Sequence, residues 1–192
     1  MVGTTNPIAF AVSCTSATWC VAVGPNNAGR NTQRWNGSNW HAGLAAATWN
    51  GSAWTYRHIS GSTDSKQGPA FESVDCVSPT NCLTVGDPNG LAAHWDGSTL
   101  TVARVPDAQY MRSVSCLAAT SCVALTDGTT QFGDGRSVLW DGTSWTPLPL
   151  APDPAGPGVV LEDGDCTSTQ CMGVGLGTQP NAEWAAEAEL LR

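Results

Sequence analysis

Val12-Ser-Cys-Thr-Ser-Ala-Thr-Trp-Cys-Val-Ala-Val-Gly24 is the stretch on which the fold turns, because the chain repeats it. It returns as Val74-Asp-Cys-Val-Ser-Pro-Thr-Asn-Cys-Leu-Thr-Val-Gly86 and as Val114-Ser-Cys-Leu-Ala-Ala-Thr-Ser-Cys-Val-Ala-Leu-Thr126. A worn copy reads Gly164-Asp-Cys-Thr-Ser-Thr-Gln-Cys-Met-Gly-Val-Gly175. All eight cysteines fall in these four copies, two in each. Three pairs have the spacing C-x5-C (Cys14/Cys20, Cys76/Cys82, Cys116/Cys122) and one has C-x4-C (Cys166/Cys171). Zinc knuckles are tighter and must converge with a second knuckle or with histidines, and no histidine stands beside any pair. Eight cysteines allow 105 connectivities, but the repetition selects one, in which each copy closes on itself across a strand-loop-strand hairpin. Each such short loop removes ~2–2.5 kcal/mol of unfolded-state entropy in the chain-entropy model. Bridges of this kind persist outside the reducing cytosol, so the expected location is extracellular, secreted or cell-surface.

Each second cysteine leads into a strand in which large apolar residues flank a small one: Val21-Ala-Val, Leu83-Thr-Val, Val123-Ala-Leu and Met172-Gly-Val. That pattern suits a strand covered on both faces. A second motif follows, Trp-Asn/Asp-Gly-Ser/Thr-x-Trp/Leu, from Trp35 to Trp40, Trp49 to Trp54, Trp95 to Leu100 and Trp140 to Trp145. Asn-Gly and Asp-Gly are strong hairpin signals because both residues tolerate positive φ. The flanking aromatics then face each other across the strands. Each unit therefore predicts four strands, and Pro106, Pro147 and Pro149, which cannot donate to a ladder, mark where pairing stops.

The units run over about 8–60, 71–106, 110–149 and 159–192, within one domain spanning 1–192. The first is irregular: either Trp35 or Trp49 could be its turn tryptophan, so either residues 25–42 are an insertion, the preferred reading, or Ala46–Ser60 is an extra hairpin of a fifth, half-built unit. In the last unit the usual spacing lands on Trp184, where the turn has decayed to Trp184-Ala-Ala-Glu. Its worn exit strand could be completed by Thr4–Phe10 or by another copy of the chain through strand addition. Repeats of about 40 residues with four short strands each predict an all-β protein, a β-propeller of about four four-stranded blades with one intra-hairpin disulfide per blade. Four units make a small but feasible ring.

The combined motif resembles the cysteine-paired propeller repeats of secreted proteins from high-GC Gram-positive bacteria, and its turn is similar to those of kelch and Asp-box propellers. The resemblance covers nearly the whole chain. In Asp-box families the Asp-Gly turn is structural, which implies the same for Asp96 and Asp141.

Composition narrows the partners. Net charge is −8, with one lysine and seven arginines among 192 residues. Nucleic acid, which is bound largely through Lys and Arg contacts to phosphate, is therefore not an expected partner. No apolar run approaches the ~20 residues of a membrane-spanning helix. The N-terminal Met-Val-Gly-Thr-Thr-Asn-Pro lacks the charged and apolar regions of a signal peptide, so a secreted form is expected to be processed or trimmed. Only 12% of residues are charged, which lowers the desolvation cost of packing against another protein.

Candidate chemistry is sparse. No cofactor is expected, except that Glu162-Asp-Gly-Asp165 gathers carboxylates of the kind calcium takes, with Asp163 and Asp165 as candidate ligands. Asp127 and Asp134 bracket a second such loop. Candidate glycosidase carboxylates (Asp64, Glu72, Asp75, Asp107, Glu162, Asp163) show no spacing that selects a pair. His58 and His94 read as packed strand residues, and the turn tryptophans as blade packing. Trp40 and His41, with the neighbouring Asn36, escape the repeat and are the candidate ligand contacts, since function favours non-repeating loops. Asn36-Gly-Ser and Asn50-Gly-Ser match glycosylation sequons, which their place in hairpin turns also explains. The leading expectation is a secreted, non-enzymatic propeller presenting a binding or assembly surface for protein or glycan, with self-assembly possible. The alternative is an extracellular carbohydrate-active enzyme of propeller type, a glycoside hydrolase or lyase.

Overall fold

The computed structural model describes residues 9–25, 33–35, 40–42, 44–59, 70–127, 135–148, 159–178 and 184–191. They form antiparallel sheets throughout. The first blade orders β1 (Ala11–Ser16), β2 (Trp19–Pro25), β5 (Leu44–Trp49) and β6 (Trp54–Ile59) side by side. Between β2 and β5 the chain makes a separate two-stranded ribbon, β3 (Gln33–Trp35) with β4 (Trp40–Ala42). This is the topology of an insertion. Cys20 pairs with Trp49, so Trp49, and not Trp35, is the turn tryptophan of this blade.

The second blade is β7 (Ala70–Ser78), β8 (Asn81–Asp87), β9 (Leu91–Trp95) and β10 (Leu100–Arg104). The third is β11 (Tyr110–Ala118), β12 (Ser121–Asp127), β13 (Gly135–Trp140) and β14 (Trp145–Leu148). Pro147 sits on the edge strand β14, where a missing N–H costs the ladder nothing. The fourth blade has three strands among the described residues: β15 (Val159–Cys166), β16 (Cys171–Thr178) and β17 (Trp184–Leu191).

The expected role of Trp184 is overturned by register. In the first three blades the second cysteine lies opposite the turn tryptophan, as Cys20↔Trp49, Cys82↔Trp95 and Cys122↔Trp140. In the fourth, Cys171 lies opposite Leu191, while Trp184 opens β17 opposite Thr178. The spacing rule failed because β17 runs unbroken for eight residues, longer than the third strand of the other blades.

All four disulfides close within their own hairpins, Cys14–Cys20, Cys76–Cys82, Cys116–Cys122 and Cys166–Cys171. Each joins residues paired directly across the first two strands, with Cα atoms 4.0 Å apart. The short loop inside the bridge supports the Trp-x-Gly turn. Gly51, Gly97 and Gly142 hold φ of +92°, +97° and +98° and press on Thr18, Thr80 and Thr120, the loop residue two before each second cysteine. A side chain there would meet both a disfavoured backbone conformation and the threonine methyl. Trp95 Nε1 also donates to the Pro79 carbonyl of the loop, at 3.1 Å. The turn aromatics meet as expected, with ring centroids 5.7 Å apart for Trp49–Trp54 and 5.3 Å for Trp140–Trp145.

The blades stack face to face, and the cores lie between them. Val21 and Val23 of the first pack on Phe71 and Val74 of the second. Leu83 and Val85 of the second pack on Met111 and Val114 of the third. Val123 and Leu125 of the third pack on Leu161 of the fourth. Contacts between first strands run β1 to β7, β7 to β11 and β11 to β15. The first strands therefore line the inner edge of the stack, as in a propeller. Among the described residues no comparable contact joins β15 back to β1. Among the described residues the four blades make an open arc.

Candidate docking face of the fourth blade

An arc has two terminal faces, and the repeat shows what each lacks. On the second strand of each blade the residue three after the second cysteine points at the next blade. Val23, Val85 and Leu125 are 2%, 0% and 1% exposed; the equivalent Val174 is 49% exposed. Met172 and Leu176 on the same strand are exposed as well. Ala186 and Ala188 of β17 extend this apolar surface. With Glu162, Val174, Gly175 and Leu176 they line a shallow groove of about 490 Å³. At the opposite end of the arc, Val74 and Val114 are 7% and 6% exposed, whereas their equivalent Val12 is 58% exposed. Isolated exposed apolar residues are ordinary, but a contiguous patch at a position that is buried in every other repeat marks an interaction surface.

The inner edge carries a polar counterpart. The residue before each first cysteine alternates Ser13, Asp75, Ser115, Asp165. Each of the first three accepts the backbone N–H of the next blade's cysteine. Cys76 N donates to Ser13 Oγ at 3.1 Å, Cys116 N to Asp75 Oδ2 at 2.7 Å and Cys166 N to Ser115 Oγ at 3.2 Å. A second rung lies two residues earlier, where Val114 N donates to Ser73 Oγ and Gly164 N to Ser113 Oγ. These bonds satisfy first-strand N–H groups that point away from their own sheet, and would otherwise be buried without partners.

Asp163 and Asp165, the candidate calcium ligands, stand at the last position of both rungs. Asp163 Oδ1 accepts from Ser113 Oγ at 2.7 Å, and Asp165 Oδ1 accepts from Ser115 Oγ at 2.9 Å. Each also accepts its neighbour's backbone N–H, from Gly164 and Cys166. Their Oδ2 atoms have no partner among the described residues. No group of three or more His, Cys, Asp or Glu side chains converges among those residues.

The other candidates are dispersed. Asp75 belongs to the inner rung, Glu162 borders the apolar groove, and Asp107 sits in a turn at φ +59°. Glu72 lies on β7 and Asp127 ends β12, while Asp64 and Asp134 fall outside the described residues. Arg104 donates to the carbonyls of Pro88 and Asn89, and the Arg112 guanidinium lies 5.6 Å from the Tyr110 ring centroid. His94 packs against Trp140 of the next blade, with ring centroids 6.3 Å apart. His58 lies in β6 opposite Ala45.

Asp96 and Asp141 are turn builders, as the resemblance implies. Asp96 Oδ1 accepts from the N–H of Ser98 and of Thr99 and from the Ser98 hydroxyl. The backbone bonds from Thr99 and Ser98 hold its carboxyl down to about 2. The same bonds from Ser144 and Thr143 lower Asp141 further. Asn50 accepts the equivalent bonds from Ser52 and Ala53 without a charge, which accounts for that sequon as a turn. Trp40 and His41 lie on the ribbon, opposite Trp35 and Arg34, so they stand outside all four blades; Asn36 falls outside the described residues.

Sequence reasoning missed the terminal faces. It judged Met172-Gly-Val174 a covered strand because that segment reads like its three equivalents. The signals that this blade differs were its worn cysteine copy, with C-x4-C in place of C-x5-C, and its decayed turn.

No protein-family model matches the sequence, and no curated protein sequence matches it. Solved structures do. YCF48 bound to D1 peptide is 16% identical, with a TM-score of 0.50 over 96% of this chain and 67% of that one. U3-55K is 11% identical, with a TM-score of 0.53 over 94% of this chain and 66% of that one. Both are β-propeller proteins. A GH74 enzyme from Niastella koreensis is also similar, at 14% identity over 96% of this chain and 35% of that one, but its TM-score of 0.26 carries no argument. The chain spans about two thirds of the length of the first two, and what the likeness establishes is the β-propeller fold.

Proposed function

We propose that this protein is a secreted, protein-binding propeller that takes its partner on the exposed face and edge of the fourth blade. The observation that carries the reading is Val174, which lies bare at a position that every preceding blade buries. Beside it β17 pairs only with β16 among the described residues, whereas the third strand of every other blade pairs on both sides. An unpaired edge next to an apolar groove is the arrangement by which sheets accept an added strand, with main-chain bonds giving affinity and the groove giving selectivity. That a propeller of this general shape has been solved with a peptide bound supports the reading. The four disulfides and the repeat's resemblance to those of secreted bacterial proteins support an oxidising, extracellular location. Among the described residues no helix is long and apolar enough to cross a membrane.

The test is selection of extended peptides from a displayed library on the immobilised, oxidised protein, run beside a glycan array. Peptides that bind the parent protein and are lost with Val174→Lys support the assignment. Binding lost with Trp40→Ala and kept with Val174→Lys would move the site to the β3–β4 ribbon. Ligands found only on the glycan array would replace the protein-binding reading.

A further inference from the structure

We infer that the partner of the fourth blade's face is the first blade of a second copy of this chain, docked head to tail. This deepens the protein-binding reading by naming the partner, and rests on it. The two ends of the arc are complementary halves of an interface the molecule already contains three times. In each internal interface the second strand of one blade covers the first strand of the next. The uncovered second strand is β16, with Met172 and Val174, and the uncovered first strand is β1, with Val12.

The inner rungs match in the same sense. Val12 and Cys14 face Ala22 and Cys20 in the register that Val74 and Cys76 have with Thr84 and Cys82. Their N–H groups therefore point off the sheet, as those of Val74 and Cys76 do. By the repeat rule the acceptors for Val12 N and Cys14 N are Asp163 and Asp165, whose Oδ2 atoms have no partner among the described residues. The rule is already realised with a carboxylate, because Asp75 Oδ2 takes Cys116 N at 2.7 Å. The alternation Ser13, Asp75, Ser115, Asp165 also bears on which first blade fits. After Asp165 the pattern calls for serine, and Ser13 supplies it. Apolar packing between blade faces plus first-strand N–H bonds to Ser or Asp side chains holds the internal blades together, and the bond is charge-assisted where the acceptor is a carboxylate, as at Asp75. A contact between unlike faces is heterologous, so it closes into a ring or propagates.

Sedimentation equilibrium of the whole oxidised chain over a micromolar concentration series tests the inference. A mass rising from 19.9 kDa towards a multiple of it is expected. Val174→Lys and Val12→Lys alter residues that are exposed within one chain, so both fold, as circular dichroism will verify. Each alone is expected to weaken association at least tenfold. Mixed together they are expected to form a one-to-one pair, because each variant keeps the face the other has lost. A monomer throughout the series overturns the inference, and so does association that Val12→Lys leaves unchanged, since that would mean like faces meet. A monomer that still binds displayed peptides through Val174 overturns the head-to-tail copy alone and leaves the protein-binding reading standing.

Discussion

Val85 and Val174 are the same residue at the same repeat position, 0% and 49% exposed, and truncating each to alanine measures what a neighbouring blade contributes. Two buried methyl groups carry a transfer energy of about 1.6 kcal/mol at ~0.8 each. Val85 touches the second–third interface, whose surroundings include Met111 and Val114, so the space left behind stays partly open. A residual cavity of roughly 50 Å³ would add about 1.2 kcal/mol at ~24 cal/mol per Å³. Val85→Ala is therefore expected to destabilise by about 2–3 kcal/mol. Val174→Ala removes methyls that are already half in water and leaves no closed cavity, so its cost is expected below about 0.8 kcal/mol. Urea unfolding followed by tryptophan fluorescence gives both values, with disulfides intact and at a concentration where sedimentation finds only monomer. Equal costs in that monomer would refute the reasoning, because they would mean that something within one chain covers the fourth blade.

Further outcomes follow from the repeat. Replacing Cys76 and Cys82 together by serine frees a loop of about seven residues and is expected to cost about 2.4 kcal/mol in the chain-entropy model, read as a shift in urea midpoint. Gly97→Ala is expected to cost about 1–2 kcal/mol, because Gly97 holds φ +97° and a Cβ would lie 2.6 Å from the Thr80 methyl; an unchanged melting temperature would count against the loop-turn contact. The Asp96 carboxyl is expected to titrate near 2 in carbon-detected NMR. Its folded value lies below the unfolded value of ~3.9, so its stabilising effect is complete above that value and is lost as pH falls towards 2. Asp96→Asn, which copies the bonding of Asn50, is expected to keep the turn and abolish that dependence.

Much of the architecture was legible in residue order because its determinants are local. A cysteine pair five or six positions apart, repeated in four copies, selects closure within each hairpin, and an Asx-Gly turn between aromatics fixes a register over a few residues. Those two devices, repeated, specify four look-alike sheets and their bridges. The structural role of Asp96 and Asp141 was legible for the same reason, since their acceptors serve N–H groups two and three residues away. The exchange of Trp184 for Leu191 opposite Cys171 was not. Strand length depends on what pairs alongside, and a spacing count carries no record of it. Nor could Val12 and Val174 be distinguished from their buried equivalents, because their side chains are of the same kind and only the presence of a neighbouring blade differs. The composition and order of the residues thus determined what each blade is and how it is stapled. Only the tertiary structure decided that, among the described residues, the fourth blade does not pack back on the first, because that contact depends on the angle accumulated from blade to blade, a property of packed faces that no single repeat encodes.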